Sequence, residues 1–248
     1  MGLQTIQMLR SFYPETRVGG YSRIDLSVEF YTRVAAILRR GDVVLDYGAG
    51  RGGHIDEDVS PYRKSLKTLL NRCAHVEGCD IDAAVLHNPY IDHATVIQPS
   101  APLPFPDEHF DLVICNWVFE HIQEPEIVSR ELLRVLKPGG YICAMTPNKW
   151  GYVSAAARSV NNRFHAMVLN KAQPERLSED VFPTVYKMNT EADLARLFGG
   201  TADVTVYRPL TEPSYYFSKR TLFRFFTVLH WLMPTQLRPT LLVFLRKV

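Results

Sequence analysis

Short apolar runs recur along the chain and are separated by stretches in which apolar and polar residues alternate at helical spacing. Each run is bounded by glycine, proline or polar residues, which is typical of buried strands in a parallel sheet. The pattern predicts strands at Val43–Asp46, His75–Cys79, Ala94–Ile97, Phe110–Cys115, Tyr141–Thr146, Asp203–Tyr207 and Thr240–Arg246.

Helices are predicted between these strands from apolar positions that share one face. The first is expected to begin with Ser27 as its cap and to end before Gly41. The segment His54–Asn71 is long for the first helix region and contains Pro61, so a loop insertion that shapes the substrate entrance is expected there. The predicted helices are Ser27–Arg39, the second half of His54–Arg72, Glu124–Leu136, Thr190–Phe198 and Ser218–Met233.

Strands that alternate with helices predict a Rossmann-like α/β fold, with helices on both faces of a seven-stranded, mostly parallel sheet. We expect a single domain over residues 1–248. Its predicted parts are an N-terminal cap (1–41), a cofactor-binding core (42–148), a lid insertion after the fifth strand (149–189) and a C-terminal completion of the sheet (190–248).

Composition narrows the function classes. The 248 residues are 46% hydrophobic and 22% charged, and 28 Lys and Arg face 26 Asp and Glu, so no nucleic-acid footprint is predicted. The four cysteines form no C-x-x-C pair, so we predict reduced thiols and no metal site. No signal-peptide pattern is present, and the apolar segment Thr221–Met233 is too short for a membrane span, so a soluble cytoplasmic protein is expected.

The segment DYGAGRGG fits two glycine patterns. Gly48, Gly50 and Gly53 fit the dinucleotide fingerprint G-x-G-x-x-G, whereas Asp46 with Gly48, Gly50 and Gly52 fits D-x-G-x-G-x-G. A carboxylate at the end of the strand suits a ligand with a cationic amino-acid end better than a pyrophosphate. Asp80, at the tip of the second strand, can accept both ribose hydroxyls of either ligand, so it does not separate them.

Four runs in order carry a family resemblance: VVLDYGAGRGG, VEGCDID, LPFPDEHFDLVICNWVFEHI and ELLRVLKPGGYICAMTPN. Together they cover roughly Val43 to Asn148. Over this range the chain resembles class I S-adenosylmethionine-dependent methyltransferases, in the subgroup similar to ubiquinone- and menaquinone-biosynthesis methyltransferases. The resemblance implies an antiparallel last strand and S-adenosyl-L-methionine as the methyl donor.

The resemblance also implies the cofactor-binding residues. Residues of the glycine loop would hold the methionine portion, Asp80 the ribose hydroxyls and Ile81 the adenine, and two residues after the fourth strand would line the pocket near the sulfonium. Where many relatives carry Asp-Ala after the third strand, this chain has Ser100-Ala101, so the adenine contact would come from the backbone or from Ser100. The predicted set is Asp46, Tyr47, Gly48, Ala49, Gly50, Asp80, Ile81, Ser100, Asn116 and Trp117.

A hydroxyl acceptor needs a base, and His121 in WVFEHI, just after the fourth strand, is the first candidate. The alternative reading is that His121 braces the following helix. His54, after the glycine loop, is a weaker candidate, and Glu120 is expected to be structural. Acceptor contacts are expected by analogy from Tyr21–Asp25, from Thr146–Tyr152, and in the lid from Arg176, Glu179, Asp180, Phe182, Pro183 and Tyr186.

The predicted function is methyl transfer to a small-molecule, saccharide or lipid-linked acceptor, at oxygen. Two alternatives stay open: an NAD(P)-dependent oxidoreductase that uses the same glycine loop, and a non-catalytic scaffold that only binds cofactor. The aromatic and basic helix 218–233 is either a core helix or a surface that contacts a membrane interface. The oligomeric state is not predicted.

Overall fold

The described residues form one seven-stranded sheet covered by helices on both faces. A computed structural model of the chain describes residues 3–159, 183–213 and 219–248. The strands are β1 (Val43–Tyr47), β2 (His75–Asp80), β3 (His93–Val96), β4 (Phe110–Asn116), β5 (Leu136–Pro147), β6 (Ala202–Tyr207) and β7 (Thr240–Lys247).

The strand order is β3-β2-β1-β4-β5-β7-β6. Strands β1 to β5 pair in parallel, whereas β7 pairs antiparallel with both β5 and β6. The predicted Rossmann-like sheet with an antiparallel last strand is confirmed. The carboxyl ends of β1, β2, β4 and β5 therefore meet at one edge, which is where ligands bind in open α/β sheets.

Eight α-helices are described. They are α1 (Leu3–Phe12), α2 (Leu26–Ile37), α3 (Gly53–Asp56), α4 (Pro61–Lys67), α5 (Pro125–Val135), α6 (Tyr152–Ser159), α7 (Glu191–Phe198) and α8 (Arg220–Leu232). Short 3₁₀ turns lie at Pro14–Arg17, Ala83–His87, Phe119–His121 and Thr235–Leu237. Within these residues no helix is long and apolar enough to cross a bilayer.

The sequence prediction misplaced both ends of α2. Asp25, rather than Ser27, caps the helix, because its carboxylate accepts a hydrogen bond of 3.0 Å from the Val28 N–H. The helix ends at Ile37, and Leu38 already has an extended backbone. Gly41 therefore lies beyond the end and does not terminate the helix.

The predicted start of β5 at Tyr141 was also wrong. The strand begins at Leu136, which pairs with Phe110, and the register then shifts before Tyr141 pairs with Leu112. Gly139, at φ 77°, absorbs this irregularity. Pro138, Gly139 and Gly140, which follow the predicted helix Glu124–Leu136, therefore lie within the strand, and the last residue of α5 is Val135.

Alternation along the central strands divides the core into two layers. Leu45 of β1 and Val113 of β4 pack on one face of the sheet with α5 and α7. Val44 and Leu112 point to the other face, against α2. Both layers are fully buried, which fixes the register of the strands and hence the positions of the residues at their carboxyl ends.

A third, smaller apolar cluster joins the N-terminal helix to α8. Leu9, Tyr13 and Phe223 are buried there, with the Phe12 and Phe223 ring centroids 4.7 Å apart. The sequence pattern did not predict α1.

The interruption of the helical pattern within His54–Arg72 was expected. Pro61 is the first residue of α4, a position at which the N–H group that proline lacks has no partner within the helix.

Candidate functional site

The glycine loop after β1 has a backbone that side chains would block. Gly48, Gly50 and Gly52 have φ values of 80°, 49° and 77°. A Cβ at Gly48 would lie 2.3 Å from the nearest methyl carbon of Val118 in the segment after β4. The loop therefore approaches the β4 segment closely only because this position is glycine.

The loop is locked to the end of β2 by backbone and carboxylate hydrogen bonds. The N–H groups of Gly48 and Ala49 donate to the Cys79 carbonyl at 2.8 and 3.1 Å. The Gly50 N–H donates to Asp80 Oδ2 at 2.9 Å, and the Asp82 N–H donates to Asp80 Oδ1 at the same distance. Asp80 is thus fixed beside the loop, as its predicted role requires.

Asn88 holds the glycine loop through its side chain, and no sequence pattern predicted this role. Its Nδ2 donates to the carbonyls of Ala49 and Gly50, both at 3.1 Å. Its Oδ1 accepts from the Tyr90 N–H at 2.9 Å. The Asn88-Pro89 pair signals only a turn in the sequence. We name Gly48, Ala49, Gly50, Asp80 and Asn88 the glycine-loop cluster.

Asp46 lies half-buried at the end of β1. Burial, together with the negative charge of Asp80, raises the pKa of the Asp46 carboxyl to about 7. A cation placed beside this carboxyl would offset both effects and favour its ionised form. Tyr47, the next residue, is buried and faces the core rather than the loop.

The remaining predicted cofactor residues lie along the same edge of the sheet. Ile81, at the tip of β2, is 49% exposed. Its apolar side chain is therefore accessible for packing against a flat ligand. Ser100 has a φ of 55° in the loop after β3. Trp117 has a φ of 58°, and its N–H donates to the Met145 carbonyl at 2.8 Å.

Asn116 ends β4 with a buried oxygen that lacks a hydrogen-bond partner among the described residues. That atom is Oδ1. A buried acceptor without a donor is costly, so it fits a ligand that brings an N–H or O–H group. Asn189 Oδ1, on the segment that leads into α7, is orphaned in the same way within the described chain.

His121 lies in the 3₁₀ turn after β4, and its tautomer follows from one contact. Its Nδ1 is 2.8 Å from the Pro183 carbonyl oxygen. Because a carbonyl only accepts, Nδ1 carries the proton in the neutral ring, and Nε2 is then the basic nitrogen. Glu120 Oε1 lies 3.9 Å from Nε2.

Glu120 joins the ends of β4 and β5 to residues far along the chain. Its buried Oε2 accepts from the Thr146 hydroxyl at 3.0 Å, and Asn189 Nδ2 donates to that hydroxyl at 2.7 Å. The Glu120 carbonyl accepts from the Val185 N–H at 2.7 Å. We name Glu120, His121, Thr146 and Asn189 the β4–β5 network.

An open polar pocket of about 300 Å³ adjoins the glycine loop. Its lining comes from the start of α2, from α3 and α4, and from the segment after β6: Asp25, Leu26, Ser27, Gly53, His54, Glu57, Asp58, Arg63, Lys67 and Glu212. Arg63 is buried and pairs with both Asp25 and Asp58 at 2.8 Å. These ion pairs fasten the predicted Tyr21–Asp25 segment to α4.

Two titratable groups in this pocket have displaced pKa values. Burial, with a smaller contribution from Lys67, lowers the pKa of His54 to about 4, so its ring is neutral near pH 7. Its Nε2 lies 3.5 Å from the Tyr31 hydroxyl. Burial also raises the pKa of Glu212 to about 7, and the charge of Asp25 adds to that rise.

The structure brings most of the predicted site residues to one edge and leaves others undetermined. Asp46, the glycine loop, Asp80, Asn116 and His121 all follow the carboxyl ends of adjacent strands. Arg176, Glu179, Asp180 and Phe182, the lid positions named from the sequence, lie outside the described residues. No cluster of three or more His, Cys, Asp or Glu suited to a metal ion occurs within the described ranges.

The sequence of residues 58–144 matches a family described as "Methyltransferase domain". The chain is 28% identical over 120 residues to the ubiquinone/menaquinone biosynthesis C-methyltransferase of Vibrio campbellii, which covers 45% of this chain and 43% of that protein. It is 32% identical over 98 residues to the uncharacterized methyltransferase YcgJ of Bacillus subtilis, covering 39% and 37%. The matches thus span less than half of these relatives.

The fold has solved counterparts. The crystal structure of an S-adenosylmethionine-dependent methyltransferase from Archaeoglobus fulgidus superposes with a TM-score of 0.55 at 16% sequence identity. The superposition covers 96% of this chain and 99% of the other.

Proposed function

We propose that this chain, a homologue of the S-adenosylmethionine-dependent methyltransferases with their class I fold, binds S-adenosylmethionine and transfers its methyl group to a small-molecule acceptor. The observation that carries the proposal is the glycine-loop cluster. A Cβ at Gly50 would meet only Asp80 Oδ2, at 3.9 Å, among the described atoms within 4 Å, so the loop backbone is open there, and the Gly50 N–H holds Asp80 beside it.

The residues at this edge fit the chemistry of that donor. Asp46, with its raised pKa, suits a cationic amino-acid end, and Asn116 Oδ1 lacks the N–H donor that such an end provides. We assign the ribose hydroxyls to Asp80 and the adenine face to Ile81, which is exposed. When bound, S-adenosylmethionine supplies an electrophilic methyl group on a sulfonium centre.

The sheet order supports this donor over a nicotinamide dinucleotide. Dinucleotide-binding sheets of the doubly wound type are mostly parallel and run in the order 3-2-1-4-5-6. Here the antiparallel β7 separates β5 from β6. The non-catalytic alternative accounts for Asp46 as a cofactor-binding residue but gives no role to the His121 geometry, because a scaffold needs no base.

We propose that the acceptor atom is oxygen and that His121 removes its proton. The Pro183 carbonyl holds Nδ1 protonated and so leaves the basic lone pair on Nε2. Glu120, buried and 3.9 Å from Nε2, stabilises the positive charge that the ring gains. The acceptor classes that we consider are saccharides, other hydroxylated small molecules and lipid-linked forms of them. The polar pocket that holds Glu212 supports a hydroxylated compound.

Carbon methylation is the second candidate, because the Vibrio relative is named a C-methyltransferase. The identity of the product distinguishes carbon methylation from oxygen methylation. The protein is incubated with isotope-labelled methyl donor and cell extract, and the labelled product is identified by mass spectrometry and NMR. A methoxy signal supports the oxygen proposal, and a new carbon–carbon bond contradicts it.

Donor binding is tested by calorimetry with two neighbouring carboxylates. Asp80→Ala is expected to weaken S-adenosylmethionine binding by roughly 100-fold, because it removes a charged acceptor of two hydrogen bonds. Asp82→Ala is the control, since Asp82 only caps the turn at Ala84. Equal affinities of the two variants would remove Asp80 from the site.

The base is tested by turnover. His121→Ala is expected to lower kcat by roughly 100-fold or more while the donor affinity stays within about twofold. His109→Ala is the control, because His109 is exposed at the amino end of β4 and its ring meets the Phe110 ring edge to face. Unchanged turnover in His121→Ala would exclude His121 as the base and leave the donor proposal intact.

A further inference from the structure

Helix α8 carries apolar residues on two opposite sides. One side packs on the domain, and half of the apolar residues of the helix lie on the other side, which is exposed. Phe223 is fully buried against Phe12 and Tyr13. His230 is buried as well, with Nδ1 2.8 Å from the Thr211 carbonyl and Nε2 2.8 Å from the Tyr152 hydroxyl. Contacts at both ends of the helix thus fix its orientation on the domain.

The outward side carries large apolar side chains that face solvent. Phe225, Val228, Trp231 and Leu232 are 59%, 50%, 73% and 66% exposed. At 100° per residue, these positions fall within roughly 120° of the helix circumference. A contiguous exposed apolar stripe of this kind marks an interaction surface rather than an ordinary solvent face.

Cations accompany this stripe at the start of the helix. Lys219, Arg220 and Arg224 are exposed, and the helix sequence RTLFRFFTVLHWL contains no carboxylate. None of the three forms an ion pair within the described part of the chain, although Arg220 lies over the Phe12 ring at 5.8 Å. Positive charge at a helix N-terminus opposes the helix dipole, so these cations do not serve the stability of the helix.

The arrangement places Arg220, Arg224 and Trp231 along one edge of the stripe. Helical geometry puts the three within roughly 40° of one another around the axis. Arg and Trp side chains at one level beside a mainly apolar surface, in which Thr221 is an exposed polar position, match the boundary between lipid headgroups and acyl chains. The charge on the helix calls for an anionic partner.

We propose that the outward face of α8 docks on the surface of an anionic phospholipid bilayer, with Phe225, Val228, Trp231 and Leu232 entering the headgroup–acyl boundary and the cations contacting lipid phosphates. A second copy of the chain is a poorer partner, because its α8 brings the same cations and no carboxylate. The proposal is independent of methyl transfer, and it fits a lipid-linked acceptor if that function holds.

Vesicle flotation of the full chain tests the proposal. The protein is expected to float with vesicles of phosphatidylglycerol and phosphatidylcholine and to bind pure phosphatidylcholine vesicles roughly tenfold more weakly, with the difference shrinking as salt is raised. Addition of anionic vesicles is expected to shift tryptophan emission to the blue, and Trp231→Phe should lose most of that shift. Emission that does not change contradicts insertion.

Two variants and a control separate the contributions. Trp231→Ser with Leu232→Ser, and separately Arg224→Glu, are each expected to weaken binding to anionic vesicles by roughly tenfold or more. Val18→Ser is the control, because Val18 is 80% exposed elsewhere on the surface. All of these side chains are exposed, so the thermal midpoint of unfolding should not change. Binding of S-adenosylmethionine to each variant is measured separately, to check that the cofactor site is intact.

Three results overturn the proposal. The first is equal flotation of the wild type and the α8 variants. The second is equal binding to neutral and anionic vesicles, which would remove the role of the cations. The third is concentration-dependent self-association in sedimentation experiments that the Trp231 and Leu232 substitutions abolish, because the face would then be an interface between copies of the chain.

Discussion

The glycine-loop cluster and the β4–β5 network lie at the same edge of the sheet but are built in different ways. In the glycine-loop cluster, a backbone N–H group or carbonyl takes part in each hydrogen bond described above, as the Gly50 N–H does with Asp80. In the β4–β5 network, side chains bond to side chains, as Asn189 does to Thr146. The first is a backbone cradle, and the second is a side-chain network.

This difference separates two kinds of constraint. A backbone cradle tolerates little change in shape, because even one added methyl group collides with it. A side-chain network tolerates isosteric changes in shape and responds mainly to the loss of a donor or an acceptor. We therefore expect damage to the glycine-loop cluster to affect donor affinity and damage to the β4–β5 network to affect stability and turnover.

The largest effect is expected from Gly48→Ala. The new Cβ would lie 2.3 Å from a Val118 methyl carbon, and φ is 80°. The loop must shift, so the affinity for S-adenosylmethionine should fall by roughly 100-fold or more, measured by calorimetry. Strain alone costs an alanine in this left-handed conformation about 1–2 kcal/mol.

Gly139→Ala separates strain from collision. Gly139 has nearly the same φ, 77°, but a Cβ there meets nothing within 4 Å. The variant should lose about 1–2 kcal/mol of unfolding free energy and keep its donor affinity within about twofold. Comparable losses of affinity in both variants would mean that the close approach to Val118 does not matter.

The next effect is a pH dependence of donor affinity that comes from Asp46. Its pKa of about 7 in the free protein means that the carboxyl is mostly protonated at pH 6. A cationic ligand binds the ionised form, so the affinity should rise roughly tenfold between about pH 6 and about pH 7.5. Asp46→Asn should flatten the profile, whereas Glu212→Gln should leave it unchanged. The reverse pattern would assign the dependence to Glu212.

The titration of Asp46 affects the stability of the free protein in the opposite direction: stability falls with rising pH, whereas donor affinity rises. A carboxyl whose pKa is higher in the folded than in the unfolded state stabilises the fold when it is protonated. This contribution is present at low pH and is lost as the pH rises through about 7. Bound donor should therefore raise the thermal midpoint more at pH 7.5 than at pH 6.

The smallest effect is expected from Thr146→Val in the β4–β5 network. The change keeps the shape but removes the hydroxyl that donates to buried Glu120 and accepts from Asn189. We expect a loss of about 1–3 kcal/mol in unfolding free energy, a lower kcat and an unchanged donor affinity. Thr95→Val is the control, because the Glu77 carboxylate that it contacts also has His93 Nδ1 at 2.7 Å. Equal losses of stability would contradict a special role for the network.

Periodicity and spacing predicted a buried strand, a glycine turn and an acidic residue at the next strand tip, but this pattern fits a dinucleotide as well. The four runs from Val43 to Asn148 that resemble methyltransferases favoured S-adenosylmethionine. The seven strands and the antiparallel β7 also agreed with expectation, whereas the order of the strands was not predicted. The assignments of individual residues to parts of the cofactor stay predictions.

The features that the sequence did not predict depend on tertiary contacts. Asn88 supports the glycine loop through contacts across 38 and 39 positions, and no spacing rule predicts them. Ser27 was chosen as a cap because serine is a good one, but Asp25 is also held by buried Arg63, which fixes the start of the helix earlier. The role of Pro183 in setting the His121 tautomer needs a contact across 62 positions.

The place of β7 has a consequence for synthesis of the chain on the ribosome. β7 lies between β5 and β6, yet residues 148–239 separate it from β5. At about 5–20 residues per second, those residues take roughly 5–20 s to be translated. During that interval β5 ends the growing sheet with unpaired N–H and C=O groups, an edge on which other nascent chains can pair. The nascent chain is therefore expected to recruit chaperones until residues 240–247 have left the exit tunnel.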